Sequence, residues 1–249
     1  MRQWTPADGV SEQAPGVFFV EGPASNWVVV RDATGFILID SGYPADLPLV
    51  LGSLRFLGLE PAACAALLIT HGHVDHTGSA AHFSTAYGTP VLCSPEELAH
   101  VRGEEKHQVT FGQVISRAWR PRVFRWMLHV IRAGALRAEP AVHARAWDAG
   151  TLGNLPGTPE PVLLPGHTPG NSAVLLPGAA AIAVGDSFVS GHPISRRTGS
   201  QMLHPMYHSD PGAARAAATR GLAGIDAGVI LPGHGPALRM PLPEALASL

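Results

Sequence analysis

Short apolar runs alternate with turns rich in Gly, Pro and Asp along most of this chain. Runs at 17–20, 26–31 and 36–40, separated by Gly22-Pro23 and by 32–35, predict a strand meander at a sheet edge. A helical stretch at 47–57 follows, with Pro48 tolerable in its first turn. The uninterrupted run AALLI at 65–69 predicts a buried strand. A small-residue helix over 77–87, a strand over 90–93 and a helix over 95–100 come next, and Ser94 with Glu97 reads as a capping box for the last. The second half predicts strands at 162–164, 173–176, 180–184 and 229–231, with a helix from an Asp210 cap to 223. The order of these runs suggests two similar halves, each of several strands plus helix.

Residues 101–142 break this rhythm. Apolar residues recur with helical spacing at Phe111, Val114, Ile115, Ala118 and Trp119, and again from Val123 to Ile131 beyond Pro121. That spacing predicts two amphipathic helices with arginines on their opposite faces. Such a pair is either packing or a lid over a substrate, and a basic helix with tryptophan also allows weak membrane-surface contact through 111–132.

Composition narrows the class. At 249 residues with 46% hydrophobic and 14% charged, the chain can build one large folded domain over 1–249. Net charge is −2, and nine of the seventeen basic residues lie in 101–147, leaving the rest of the chain acidic. A chain-wide nucleic-acid surface is therefore not expected. Two cysteines, Cys64 and Cys93, imply no disulfide framework and fit buried thiols in a reducing compartment. The polar start has no apolar signal region, and no run of 18 apolar residues follows, so the expectation is a soluble, cytoplasmic protein.

The chemistry concentrates in THGHVDHTG at 70–78, directly after the predicted strand. A helix would aim His71 and His73 about 200° apart, whereas an irregular turn can fold both inward with Asp75 and His76. Imidazole and carboxylate together suit zinc, iron or manganese, zinc most readily. Four such residues exceed the needs of one tetrahedral ion with an open position, which suggests two divalent ions. Three further candidates sit at predicted strand ends: His167 in LPGHTPG, Asp186 in AVGD and His234 in LPGHG. Glycines beside them permit sharp turns and close backbone approach.

With Asp40, the HxHxDH run, His167, Asp186 and His234 in this order, the chain resembles the metallo-β-lactamase fold superfamily over nearly its whole length. The resemblance implies an α+β fold, a four-layer αββα sandwich, here with the helical segment inserted. It implies that His71, His73 and His167 bind one metal, that Asp75, His76 and His234 bind a second, and that Asp186 bridges both. Asp40 would then orient a ligand. Zinc lowers the pKa of bound water to about 7, which would supply a hydroxide to attack an ester, lactone or thioester carbonyl, with Asp75 passing a proton to the leaving group. No GxSxG motif competes.

Within that family, glyoxalase-II-like thioesterases carry a helical domain after the last histidine, where this chain has few residues. Acyl-homoserine lactonases carry a tyrosine three residues past the bridging aspartate, where this chain has Val189; Tyr207 is the substitute that can reach the site. A small-molecule hydrolase is the expectation. The alternatives are a phosphodiesterase or nuclease, or an iron-dependent oxidoreductase of the persulfide dioxygenase type. Oligomeric state is not set by the sequence.

Overall fold

A computed structural model describes residues 5–249; the first four residues of the polar start lie outside them. Among the described residues twelve strands form two sheets. The first holds β1 (Val10–Ala14), β2 (Val17–Glu21), β3 (Asn26–Asp32), β4 (Gly35–Ile39), β5 (Cys64–Leu68), β6 (Val91–Cys93) and β7 (Arg145–Ala146) in that order. Its first four strands are an antiparallel meander and the remainder pair in parallel. The second sheet has the order β12–β11–β10–β9–β8, from β8 (Glu160–Leu163), β9 (Ser172–Leu176), β10 (Ala181–Gly185), β11 (Val229–Pro232) and β12 (Leu238–Arg239). In it only β10 and β11 run parallel.

The apolar runs are continuous because both faces of the central strands are covered. Side chains alternate across a strand, so Val17 and Phe19 of β2 enter the layer between the sheets while Phe18 and Val20 point to the helical side. The inter-sheet layer also holds Val28, Ile37, Leu68, Val174, Ala183 and Leu231. The outer face of the first sheet packs on Val50 and Leu54 of the helix Leu47–Phe56 and on Phe83 of Ala80–Tyr87. That of the second sheet packs on Ala218 and Leu222, at the end of Pro211–Gly221, and on Leu242 and Ala245 of Leu242–Ala247. The four layers are those of an αββα sandwich.

Two local expectations are corrected. The helix foreseen over 77–87 is two pieces, Val74–Thr77 and Ala80–Tyr87, because the Gly78 and Ser79 amides donate to Gly42 O and Ser41 Oγ instead of back along the helix. The capping box at Ser94 does not form: Pro95–Glu97 is a 3-10 turn without a side-chain cap, Ser94 Oγ donates to Gly170 O, and Glu97 turns elsewhere. The Asp210 cap is present, its Oδ1 accepting from Gly212 and Ala213 amides at 2.9 Å.

The 101–142 segment contains Phe111–Ile115 and Pro121–Arg132 on either side of Pro121. Val114, Val123, Trp126 and Val130 pack against Tyr43, Val74, Leu203 and Tyr207, so the helical stripe closes over one end of the sandwich. Phe111, Ile115, Trp119 and Phe124 stay exposed. Among the described residues no helix is long and apolar enough to cross a membrane.

Candidate metal centre

Parallel pairing collects the site. Because β4 and β5 run parallel, as do β10 and β11, the segments leaving them emerge at shared edges. Asp40 follows β4, the 70–78 run follows β5, Asp186 follows β10 and His234 follows β11, while His167 lies in the turn between β8 and β9. All seven ligand-type side chains foreseen from the sequence converge here in two groups, His71, His73, His167 and Asp186, then Asp75, His76 and His234.

In the first group, His167 Nε2 lies 3.1 Å from His71 Nε2, 3.0 Å from His73 Nδ1 and 3.5 Å from Asp186 Oδ2. Ligands at about 2.0–2.1 Å from a tetrahedral ion sit roughly 3.3 Å apart, so this spacing fits a metal. In the second, His234 Nε2 is 3.3 Å from Asp75 Oδ2, and His76 Nε2 is 3.8 Å from the same oxygen. Asp186 reaches this group as well, 3.3 Å from His234 Nε2 and 3.5 Å from His76 Nε2. His76 Nε2 and Asp186 Oδ1 are buried without any hydrogen-bond partner. Buried polar atoms are almost always paired, so two orphans aimed at one space are what a cation would satisfy. Gly233 makes this approach feasible: a Cβ there would collide with Asp186 Oδ1 and His76 Cε1.

Outer partners fix which imidazole nitrogen faces inward. His76 Nδ1 donates to Asp40 Oδ2 at 2.8 Å, His234 Nδ1 to Ala24 O at 2.7 Å and His73 Nε2 to His107 O at 2.7 Å. Each bond assigns the outer ring nitrogen its proton and directs the inner one at the centre, where a metal would take the place of any second proton, the usual orienting arrangement of metal-binding histidines. Asp40, in a left-handed conformation with φ 60°, also accepts from Thr70 N and Oγ1 at 2.8 Å. It thus lies one step behind the candidate ligand set.

Sequence reasoning missed three residues. Glu97, fully buried, accepts from Gly72 N (2.8 Å), His100 Nδ1 (2.7 Å), Thr168 Oγ1 (2.7 Å) and Gly170 N (2.8 Å). One carboxylate so ties the turn carrying His71 and His73 to the turn carrying His167. His208 Nδ1 meets His167 Nδ1 at 3.1 Å, and His192 stacks 5.1 Å from His234. The excess of histidines was the only signal for the last two.

The electrostatics favour cations. Burial works against a charged His76, yet Asp40, Asp186 and Asp75 push its pKa up to about 9, and His234 is raised by Asp186 and Asp75 against the same burial. Burial would raise Asp75 and Asp186, but His76 and His234 hold both below the usual carboxylate range. Burial and neighbouring imidazoles depress His71 and His167. Protons on His76 and His234 offset the carboxylates, and a metal ion would replace them.

A cavity of about 190 Å³ opens onto this edge. Its polar floor includes His73, Asp75, His167, Asp186 and His234; Val114, Trp126, Met127 and Val130 form an apolar wall. Tyr207 lines it too, its Oη buried and without a hydrogen-bond partner, and burial with Asp75 and Asp186 raises its pKa.

The fold and the paired His/Asp groups define a protein built around a candidate dimetal site on an αββα sandwich. The family model of the metallo-β-lactamase superfamily matches residues 20–234, and the chain belongs to that superfamily. Among curated relatives, the probable metallo-hydrolase YflN of Bacillus subtilis is 24% identical over 91% of this chain and 83% of its own length. Metallo-beta-lactamase domain-containing protein 1 of Xenopus laevis is 29% identical over 94% and 79%. Among solved structures, TTHA1623 in a di-iron-bound form is 28% identical with a TM-score of 0.59, covering 91% of this chain and 94% of that one. The metallo-beta-lactamase family protein TTHA1429 of Thermus thermophilus, 20% identical over 95% and 79%, superposes with a TM-score of 0.67.

Proposed function

We propose that this protein is a metal-dependent hydrolase of carboxylic esters, lactones or thioesters, holding two divalent ions between its two ligand groups. The observation that carries the reading is the small, apolar-walled cavity whose floor includes five of the seven ligand-type residues, His73, Asp75, His167, Asp186 and His234. Zinc suits the donor set; the iron in TTHA1623 keeps iron in consideration for this chain. When bound, such ions lower the pKa of water and polarise a carbonyl.

The protein residues have separate tasks. His71, His73 and His167 with Asp186, and Asp75, His76 and His234 with the same Asp186, form the two ligand sets. Asp40 accepts from His76 Nδ1 and so aims Nε2 at the centre, where a bound ion would displace its proton. Asp75, at the cavity floor, is the carboxylate placed to pass a proton to the leaving group. Tyr207 offers an unpaired hydroxyl to the carbonyl oxygen as it gains charge. Trp126 and Val130 keep water from the acyl portion, and the 101–142 segment acts as a lid of the single domain. The free, buried thiols of Cys64 and Cys93, pushed up to about 12 by burial, support a reducing compartment such as the cytoplasm.

The test is metal analysis combined with a panel of lactones, thioesters, aryl esters and bis-nitrophenyl phosphate. Asp186→Ala is expected to lose bound metal and turnover together, and wild-type turnover by a metal-free Asp186→Ala protein would refute the mechanism. A preference for the phosphodiester would replace the carboxylic substrate class. Tyr207→Phe is expected to lower kcat about 100-fold or more with metal content intact, the scale of a lost oxyanion donor.

A further inference from the structure

Next to the cavity lies a larger groove of about 860 Å³, lined by Arg117, Arg120, Arg122, Arg196, Arg197 and Arg215. These arginines come from three separate parts of the chain: the helical insert, the 187–209 loop and the helix Pro211–Gly221. No Asp or Glu side chain lines the groove among the described residues, and none of the six arginines forms an ion pair with a carboxylate. The nearest acid in sequence to Arg215 is Asp210, whose Oδ1 already accepts two helix amides. Six cations facing no acidic side chain in one concavity are unusual for a chain of net charge −2. Their field is felt locally: burial and then Arg117 and Arg120 lower the pKa of His204, another groove residue.

Three observations say what fits there. His192 and Leu203 line both the groove and the cavity, so the two lie side by side against the same residues. Trp119 lines the groove with 76% of its surface exposed, and the Arg120 guanidinium sits over its ring at 5.1 Å. An exposed indole is a stacking face for a planar ring, and guanidinium forks match phosphate oxygens in a bidentate manner. The groove also has the volume of a site for one small-molecule ligand rather than a track along a polymer.

We infer that the groove binds a nucleoside diphosphate moiety carried on the leaving-group side of the substrate, phosphates on the arginines and base on Trp119, while the acyl part enters the cavity. The substrate class rests on the hydrolase reading above; the binding of the nucleotide does not. Hydrolysis would put the hydroxyl of water on the acyl carbon and its remaining proton on the phosphorylated leaving group.

Calorimetry on the metal-loaded protein tests this with ADP and inorganic pyrophosphate as probes. ADP is expected to bind saturably and more weakly as salt rises. Arg196→Glu with Arg197→Glu should weaken it about tenfold or more, since charge-assisted hydrogen bonds contribute on that scale. Trp119→Ala should weaken ADP without weakening pyrophosphate. Arg55→Glu, outside the groove, is the charge-matched control. Melting temperature and metal content identify a misfolded variant, and Arg215→Glu is read in its place. Absence of ADP binding, or binding untouched by the arginine replacements and hence residing on the metals, overturns the inference. Tighter arginine-dependent binding of a single-stranded RNA or of phosphatidylserine vesicles would overturn it equally. Arginine-dependent ADP binding without hydrolysis of any ester would sink the hydrolase reading alone.

Discussion

Glu97→Gln is the most informative perturbation of this centre, because it removes a charge without removing volume. Oε1 of Glu97 faces Gly72 N and His100 Nδ1, and Oε2 faces Thr168 Oγ1 and Gly170 N, all at 2.7–2.8 Å. A glutamine must present its NH2 to one of these pairs. The threonine hydroxyl can rotate and the histidine can change tautomer, but a backbone N–H cannot, so one buried amide of Gly72 or Gly170 meets another donor. An unsatisfied buried donor costs about 1–3 kcal/mol and a lost charged acceptor adds to it, so about 3 kcal/mol is expected. For a chain of this size that is roughly 6–12 °C in Tm. Since Gly72 separates His71 from His73 and Thr168 follows His167, metal affinity should also fall, about 10–100-fold. Burial raises the Glu97 pKa, but His100, Gly72 and Thr168 together hold it below its ordinary value. A depressed carboxylate stabilises the fold above its unfolded pKa and loses that contribution as pH falls through the folded one, so the Tm gap should be full at neutral pH and shrink in acid. The assay is thermal unfolding against pH with a competitive chelator titration. Equal Tm and metal affinity in the two proteins at pH 7 would refute the argument.

Two other outcomes follow from named contacts. Gly233→Ala should keep the fold by circular dichroism yet lose bound metal, because its Cβ meets Asp186 Oδ1 and His76 Cε1; full metal occupancy by elemental analysis would show that the turn can yield. Asp46 is buried, and burial, against its bond from Tyr43 N and with help from Asp75, pushes its pKa up to about 6. A raised carboxylate binds its proton more tightly when folded, so stability falls as pH rises from about 4 to about 6. Asp46→Asn should therefore stabilise the fold at pH 7 by about 3 kcal/mol, seen as a higher Tm, and be neutral below pH 4, as pH-dependent melts will read.

What could be read without coordinates was what local chemistry constrains tightly. The run at 70–78 and the two PGH turns combine ligand-type side chains with glycines that few other purposes require. The strands were visible because both their faces are buried, so their apolar runs are unbroken. Glu97 was misread because S-x-x-E matches a helix start locally, whereas three of its four donors lie 25, 71 and 73 positions away. β1 and β7, polar and partly exposed, and the brief β12, carry no such pattern. The arginine groove was illegible for a related reason. Only the insert's basic residues cluster in sequence; Arg196, Arg197 and Arg215 join them by folding.

The ligand-type residues are shared between two slabs that meet through the apolar layer of Phe19, Leu68, Val174 and Leu231 and through a few polar ties such as Glu97 to Gly170. Four hang from the first slab and three from the second, so the centre works as a vernier for their alignment. A slip of a few tenths of an ångström between slabs would misplace every cross-slab pair at once. Enlarging or shaving a side chain deep in that layer should thus detune ion capture while every coordinating residue stays chemically unchanged.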